Sequence, residues 1–307
     1  MNLSVQLAPT HPTGLRLENP VMNASGTFGY GTEYAELVDI QKLGAVVCKA
    51  TTLAPREGNP QPRLKETPAG LLNSIGLQNI GVEALIREKA PVWASWQVPV
   101  IVNIAGEHVQ DYARLASMLD GVAGVSGLEV NISCPNVETG GMAFGTDPDQ
   151  AASVTRAVVS ATSLPVMVKL TPNVTDIVGI ALAVRDAGAH ALCLVNTLRG
   201  MSIDIAGRKP FLGNVCGGLS GPAIKPVALY MVYEVAKEVD IPIVGCGGIS
   251  SADDALEFIM AGASAVEVGT AQFVSPGALL DVMAGIGQFM QREGVEDLAQ
   301  LVGAAHR

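Results

Sequence analysis

Aromatic residues make up only 4% of this 307-residue chain, although 49% of it is hydrophobic and 34 residues are glycine. A core so poor in rings must be built from aliphatic side chains, which suits a buried parallel sheet covered by helices. Positive charge is scarce too: 19 Lys and Arg stand against 29 Asp and Glu, a formal net charge of -10. That balance repels phosphate backbones and anionic lipid, so neither nucleic acid nor a membrane is expected as a partner. No apolar run approaches the roughly 18 residues of a membrane span, and no basic segment leads into an apolar core at the N-terminus, so a cytoplasmic protein is expected. The five cysteines form no C-x-x-C pair and no zinc or iron-sulfur spacing, and no G-x-G-x-x-G follows a strand. No metal site is expected in this chain.

What is present is an alternation. Eight short apolar runs, at 20–24, 45–49, 98–104, 128–132, 165–170, 191–195, 241–245 and 265–268, read as strands. Helical spacing is expected at 33–42, 82–89, 109–119, 148–161, 175–187, 223–239, 252–261 and 276–292, as in Val227, Met231, Val235 and Val239. Thr175-Asp176 and Ser251 resemble N-caps, and Gly188 and Gly262 fall where helices should stop. Ahead of these, 3–7 and 15–19 alternate apolar and polar positions around a turn, a hairpin pattern. Eight strand-helix units favour a single (β/α)8 TIM barrel spanning 1–307, with an N-terminal β-hairpin and no second domain. Two long connections, 52–81 and 198–221, should form lids or walls over the C-terminal mouth.

In such a barrel the ligand site lies at the C-terminal ends of the strands. Those ends are rich in amides, lysines, hydroxyls and glycines. Gly247-Gly248 and Gly269-Thr270, after the last two strands, sit where the fold most often binds phosphate through backbone N–H groups. Lys169 and Lys49 end strands and supply positive charge; Lys169 suits an anionic reduced flavin, and Lys49 either a cofactor or a substrate carboxylate. Asn73, Asn103, Asn131, Asn136 and Asn196 offer paired donors and acceptors for a flat heterocycle. The stretch Asn131-Ile132-Ser133-Cys134-Pro135-Asn136 ends the fourth strand. A lone cysteine is more often a small buried hydrophobe. At a strand end Cys134 becomes a candidate general base, since a thiol can take a carbon-bound proton if its surroundings favour thiolate. No histidine falls on a strand end, Cys48, Cys193 and Cys246 lie in apolar runs, and Cys216 has no assigned role.

Read together in order, Asn23-Ala24-Ser25-Gly26, Lys49-Ala50-Thr51, Asn73-Ser74-Ile75-Gly76-Leu77, 131–136, Val168-Lys169-Leu170-Thr171-Pro172, Asn196-Thr197, Gly218-Leu219-Ser220-Gly221, Gly247-Gly248-Ile249 and Gly269-Thr270 resemble the dihydroorotate dehydrogenases. The resemblance implies an FMN enzyme of pyrimidine synthesis that oxidises dihydroorotate to orotate. Cys134 would remove the C5 proton while the C6 hydride passes to flavin. FMN would be held by Ser25, Lys49, Ala50, Asn103, Asn131, Lys169, Val195, Gly221, Gly247, Gly248, Gly269 and Thr270. Substrate would be held by Lys49, Asn73, Ser74, Ile75, Gly76, Leu77, Asn131, Asn196 and Thr197, with Asn136 added on chemical grounds. A cysteine base and a start almost directly at the barrel resemble the cytosolic class. Gly207-Arg208-Lys209-Pro210 and 217–222 resemble its NAD-linked type, whose catalytic chain works with an iron-sulfur subunit carrying FAD and [2Fe-2S] in a two-plus-two heterotetramer. A fumarate-reducing homodimer is the alternative, and a non-redox phosphate-binding barrel a more distant one.

Overall fold

The computed structural model describes residues 1–133, 135–136 and 142–306, with backbone alone for 135, 136, 142 and 143. Eight parallel strands, labelled here β1 to β8 along the chain, form the core: Val21–Asn23, Val46–Val47, Val100–Ile104, Gly127–Asn131, Val166–Leu170, Ala191–Leu194, Ile243–Cys246 and Ala265–Val268. Each pairs with its sequence neighbours, and β8 pairs back onto β1. A parallel bridge between Met22 and Ala45 joins β1 to β2 and closes the ring. All eight expected strands are present, and the fold is the expected (β/α)8 barrel.

Side chains alternate across each strand, so one set faces the helices and the other the barrel interior. Met22, Ala45, Val47, Ile101, Met167, Ala191, Val244 and Ala265 form one apolar interior cluster. Leu7, Ala8, Leu15 and Leu17 of the N-terminal hairpin belong to that same cluster. The hairpin, with paired strands Val5–Gln6 and Arg16–Leu17, therefore packs its apolar residues into the barrel. The outward residues, such as Val102, Leu128, Val130 and Val168, pack with Leu115, Val154, Val184 and Val232 of the surrounding helices.

Local chemistry sets the helix ends. Asp176 accepts a hydrogen bond from Gly179 N at 2.9 Å and starts Ile177–Asp186, while Ser251 and Asp254 form a capping box that starts Ala252–Met260. Gly188 and Gly262 follow these two helices with φ of 101° and 118°, a region open to glycine. The helix expected at 33–42 is absent. Turns lead instead to a 3-10 segment, Ile40–Lys42. Glycines 29 and 31 reverse the chain just before it, Glu33 turns back to accept from Tyr30 N, and Tyr34 stacks on Phe28 at 4.3 Å. With these contacts the segment runs mostly in i to i+3 turns, with one i to i+4 bond from Val38 N to Tyr34 O.

The two long connections meet. Leu64–Thr67, Gly70–Asn73, Gly217–Ser220 and Leu198–Gly200 form one antiparallel sheet, with Gly218 opposite Asn73 and Ser220 opposite Leu71. Strands from either side of the sequence thus form a common wall beside the strand ends.

Candidate active site

The glycines after β7 and β8 and at the end of the wall sheet converge. Gly221, Gly247 and Gly248 have φ of 92°, 131° and 79°. A Cβ on Gly248 would stand 2.9 Å from Gly221 O and 2.8 Å from Lys225 N; one on Gly221 would stand 3.5 Å from the Thr270 methyl. Thr270 donates to Ser220 Oγ at 2.8 Å, tying the loop after β8 to the wall. Backbone N–H groups are left bare here by the missing side chains, next to the start of the 12-residue helix Lys225–Ala236. This is the arrangement that receives a phosphate group. Lys225 itself is engaged with Asp254 at 2.5 Å and Glu257 at 3.0 Å.

Across the mouth, amides cluster. Asn196 Nδ2 donates to Ser133 Oγ at 3.0 Å and reaches Asn131 Oδ1 at 3.3 Å, while Ser133 N donates to that same Asn131 oxygen at 3.1 Å. The Asn131 carbonyl accepts from buried Tyr112. Thr197 N donates to Asn196 Oδ1 at 2.8 Å, and Asn196 N donates to Leu170 O. The two strand ends therefore fix one another before any ligand arrives. From the wall, Asn73 donates to Gly218 O at 3.2 Å. Ser74 is buried, with its hydroxyl accepting from Asn59 at 2.9 Å, and Ile75 O accepts from Asn59 N. Gly76 and Leu77 turn with φ of 74° and 55°. Left-handed backbone at a leucine costs roughly 1 kcal/mol and is held by the surrounding turn.

Of the remaining residues expected at the site, Ser25, Ala50 and Val195 are buried at strand ends, and Gly269 packs against Ala24. Lys49 is half-buried at the rim of a cavity of about 540 Å³ that also reaches Tyr30, Arg56 and Asn79. Burial lowers its pKa, and among the described residues no carboxylate lies within ion-pair distance. Cys134 lies outside the described residues, as does the Asn136 side chain; the Asn136 backbone pairs with Met142. Cys48, Cys193 and Cys246 are buried, as expected, and Cys216 lies in the wall region with its sulfur 3.7 Å from Arg199.

The sequence reading missed Glu129 and Glu267. Both are buried inside the barrel, and Lys169 lies between them, 2.5 Å from Glu267 and 3.5 Å from Glu129. Asn103 donates to Glu129 at 2.5 Å, and its own Oδ1, buried, has no protein partner among the described residues. The signal was available: each glutamate interrupts an apolar strand, in Gly127-Leu128-Glu129-Val130 and Ala265-Val266-Glu267-Val268, and a charge there must have a partner.

Comparison with known proteins agrees with this geometry. The family profile described as Dihydroorotate dehydrogenase matches residues 7–290. A protein of Desulforudis audaxviator named "Dihydroorotate dehydrogenase B (NAD(+)), catalytic subunit" is 59% identical over 294 residues, 96% of both chains. Proteins of the same name from Pelobacter propionicus and Desulforamulus reducens are 57% and 56% identical, covering 95% and 100% of this chain and 96% and 99% of their own. The chain belongs to the dihydroorotate dehydrogenase family.

Proposed function

We propose that this chain is the catalytic subunit of an NAD-linked dihydroorotate dehydrogenase, a single FMN-binding domain that oxidises dihydroorotate to orotate in pyrimidine synthesis. The observation that carries the reading is the convergence, at one barrel mouth, of a glycine cradle and an amide cluster. FMN fits the residues present: the cradle of Gly221, Gly247 and Gly248 suits its phosphate, and the unpartnered buried Asn103 oxygen suits an N–H of its ring system. When bound, FMN supplies the acceptor for the hydride leaving C6 of the substrate.

This chain's residues supply the rest. Gly221, Gly247, Gly248, Gly269 and Thr270 hold the phosphate end, and Ser25, Ala50, Asn103, Val195 and Lys169 line the ring. Lys169 brings positive charge that favours a reduced, anionic ring. Lys49 and the amides Asn73, Asn131 and Asn196, with Thr197 and the 74–77 turn, bind and orient the pyrimidine and its carboxylate. Asn136 adds a further amide. Cys134, two residues beyond Ile132 in the same strand-end segment, accepts the C5 proton on its sulfur.

The chain holds no motif for a dinucleotide or an iron-sulfur cluster, which supports a partner carrying FAD and [2Fe-2S] in a two-plus-two heterotetramer. The relatives' names, each specifying NAD(+), favour that acceptor over fumarate. Among the described residues no helix is long and apolar enough to cross a membrane; with the acidic composition, this supports work in the cytoplasm. The test is affinity purification of the native protein. A co-purifying iron-sulfur flavoprotein and orotate formation dependent on NAD are expected; a lone homodimer driven by fumarate would overturn the subclass.

A further inference from the structure

Inside the barrel, below the strand ends, three charged side chains share a space closed to water. Lys169, Glu129 and Glu267 have side chains 5%, 0% and 0% exposed. Lys169 Nζ is 2.5 Å from one Glu267 oxygen and 3.5 Å from one Glu129 oxygen. Asn103 holds the other Glu129 oxygen, and the second oxygen of Glu267 has no hydrogen-bond partner among the described residues. One lysine and two carboxylates would leave a net negative charge in this site. An uncompensated buried charge costs several kcal/mol, far more than moving a proton onto one carboxyl.

We propose that Glu129 and Glu267 are positioning residues that fix Lys169 and carry one shared proton between them, so that the cluster is electrically neutral. The other groups facing it agree. Cys48, Cys193 and Cys246 are buried around it, and burial pushes the Cys193 thiol up. A hydrogen bond with Cys193 draws Cys246 down to about 7. Any thiolate character there adds negative charge and strengthens the demand for a carboxyl proton. Burial, followed by the charge of Glu129, raises the Glu267 pKa well above the carboxylate range, whereas at Glu129 burial is outweighed by Lys169 together with hydrogen bonds from Glu267, Asn103 and Ser25, and the pKa is lowered. Cys193, Cys246 and Glu267 place their donor atoms within 4.8 Å of one another, but the ammonium of Lys169 beside Glu267 opposes a metal cation there.

The functional consequence rests on the FMN reading above: the singly protonated carboxyl pair anchors the lysine with one negative charge rather than two, so the cluster as a whole does not oppose a reduced, anionic ring. In a like-charge pair sharing one proton, the proton belongs to the pair. Replacing either glutamate by glutamine therefore removes the proton and leaves the net charge unchanged.

Infrared spectroscopy of the apoprotein at pH 7 reads that proton through the C=O stretch of a protonated carboxyl. The expected result is a band in the wild type that Glu129→Gln and Glu267→Gln each abolish. In FMN-loaded protein each single variant should hold the flavin reduction equilibrium within about threefold. The double variant should shift it more than tenfold, ~30 mV for a two-electron couple. No band in the wild type, a band surviving either substitution, or a single variant shifted more than tenfold overturns the shared proton. A double variant at the wild-type potential overturns the link to the flavin. A band in a protein that binds no FMN upholds the shared proton and defeats the cofactor reading instead. If a variant fails to fold, glutamate-selective ¹³C labelling of the wild type decides: an isotope-shifted band supports the proposal, and its absence overturns it.

Discussion

Gly248→Ala should loosen FMN as well as destabilise the chain, and the structure supplies its own control. Gly248 and Gly294 both have left-handed backbone, with φ of 79° and 68°. An alanine pays roughly 1 kcal/mol for that conformation at either site. At Gly294, after the helix Ala278–Glu293, the added methyl meets nothing within 4 Å. At Gly248 it would stand 2.7 Å from Lys225 Cβ, 2.8 Å from Lys225 N and 2.9 Å from Gly221 O. These are mostly backbone-anchored atoms, and relieving such overlap costs about 1–3 kcal/mol more. The relief must move the helix start or the Gly221 turn, the two groups assigned to the phosphate. Denaturant titration should give losses of about 1 kcal/mol for Gly294→Ala and about 2–4 kcal/mol for Gly248→Ala. FMN titration followed by flavin fluorescence should show wild-type affinity for Gly294→Ala and a 10- to 100-fold loss, about 1.4–2.8 kcal/mol, for Gly248→Ala. Wild-type affinity in Gly248→Ala would refute the cradle.

Three further outcomes are expected. Asn196→Ala removes the donor shared by Asn131 and Ser133 and should weaken orotate binding by about 1–2 kcal/mol in an equilibrium titration, with FMN retained. Burial opposes ionisation of Asp254, but Lys225 and the Ser250 and Ser251 donors outweigh it and draw the carboxyl to about 2. Its folded pKa lies below the unfolded value near 3.9, so its contribution is complete above that value and lost as the pH falls toward 2. Asp254→Asn should therefore lower stability by about 1–2 kcal/mol at pH 7, after allowance for partial exposure, and flatten the pH dependence between about 4 and 2. For Lys49 burial disfavours the charged form, so its protonation opposes folding at neutral pH. Lys49→Met should raise the midpoint of thermal unfolding of the apoprotein while reducing orotate affinity; a lowered midpoint would contradict its burial as a free charge.

The barrel was legible because its determinants are local and periodic. Apolar runs of about five residues, N-caps such as Asp176 and Ser251, and stop glycines such as Gly188 and Gly262 each act within one element. The segment 33–42 was misread because its helical spacing competes with contacts made by Gly31, Glu33 and Tyr34 to residues just before it. The wall sheet could not be read from spacing, since it pairs Asn73 with Gly218, 145 residues away, across short glycine-rich strands with little alternation. For the site, the amides and glycines were found because strand ends in a barrel point to one mouth. Glu129 and Glu267 were overlooked because they sit one layer below those ends, inside runs read as apolar. That layer determines the electrostatics around Lys169.

The most direct test of the account is the reductive half-reaction of the isolated chain loaded with FMN, mixed anaerobically with dihydroorotate in a stopped-flow spectrometer. Wild type should bleach and yield one orotate per flavin, and Cys134→Ser should keep its FMN but bleach about 10²- to 10⁴-fold more slowly near neutral pH. A flavin that dihydroorotate does not bleach, or a serine variant that bleaches at the wild-type rate, would contradict it.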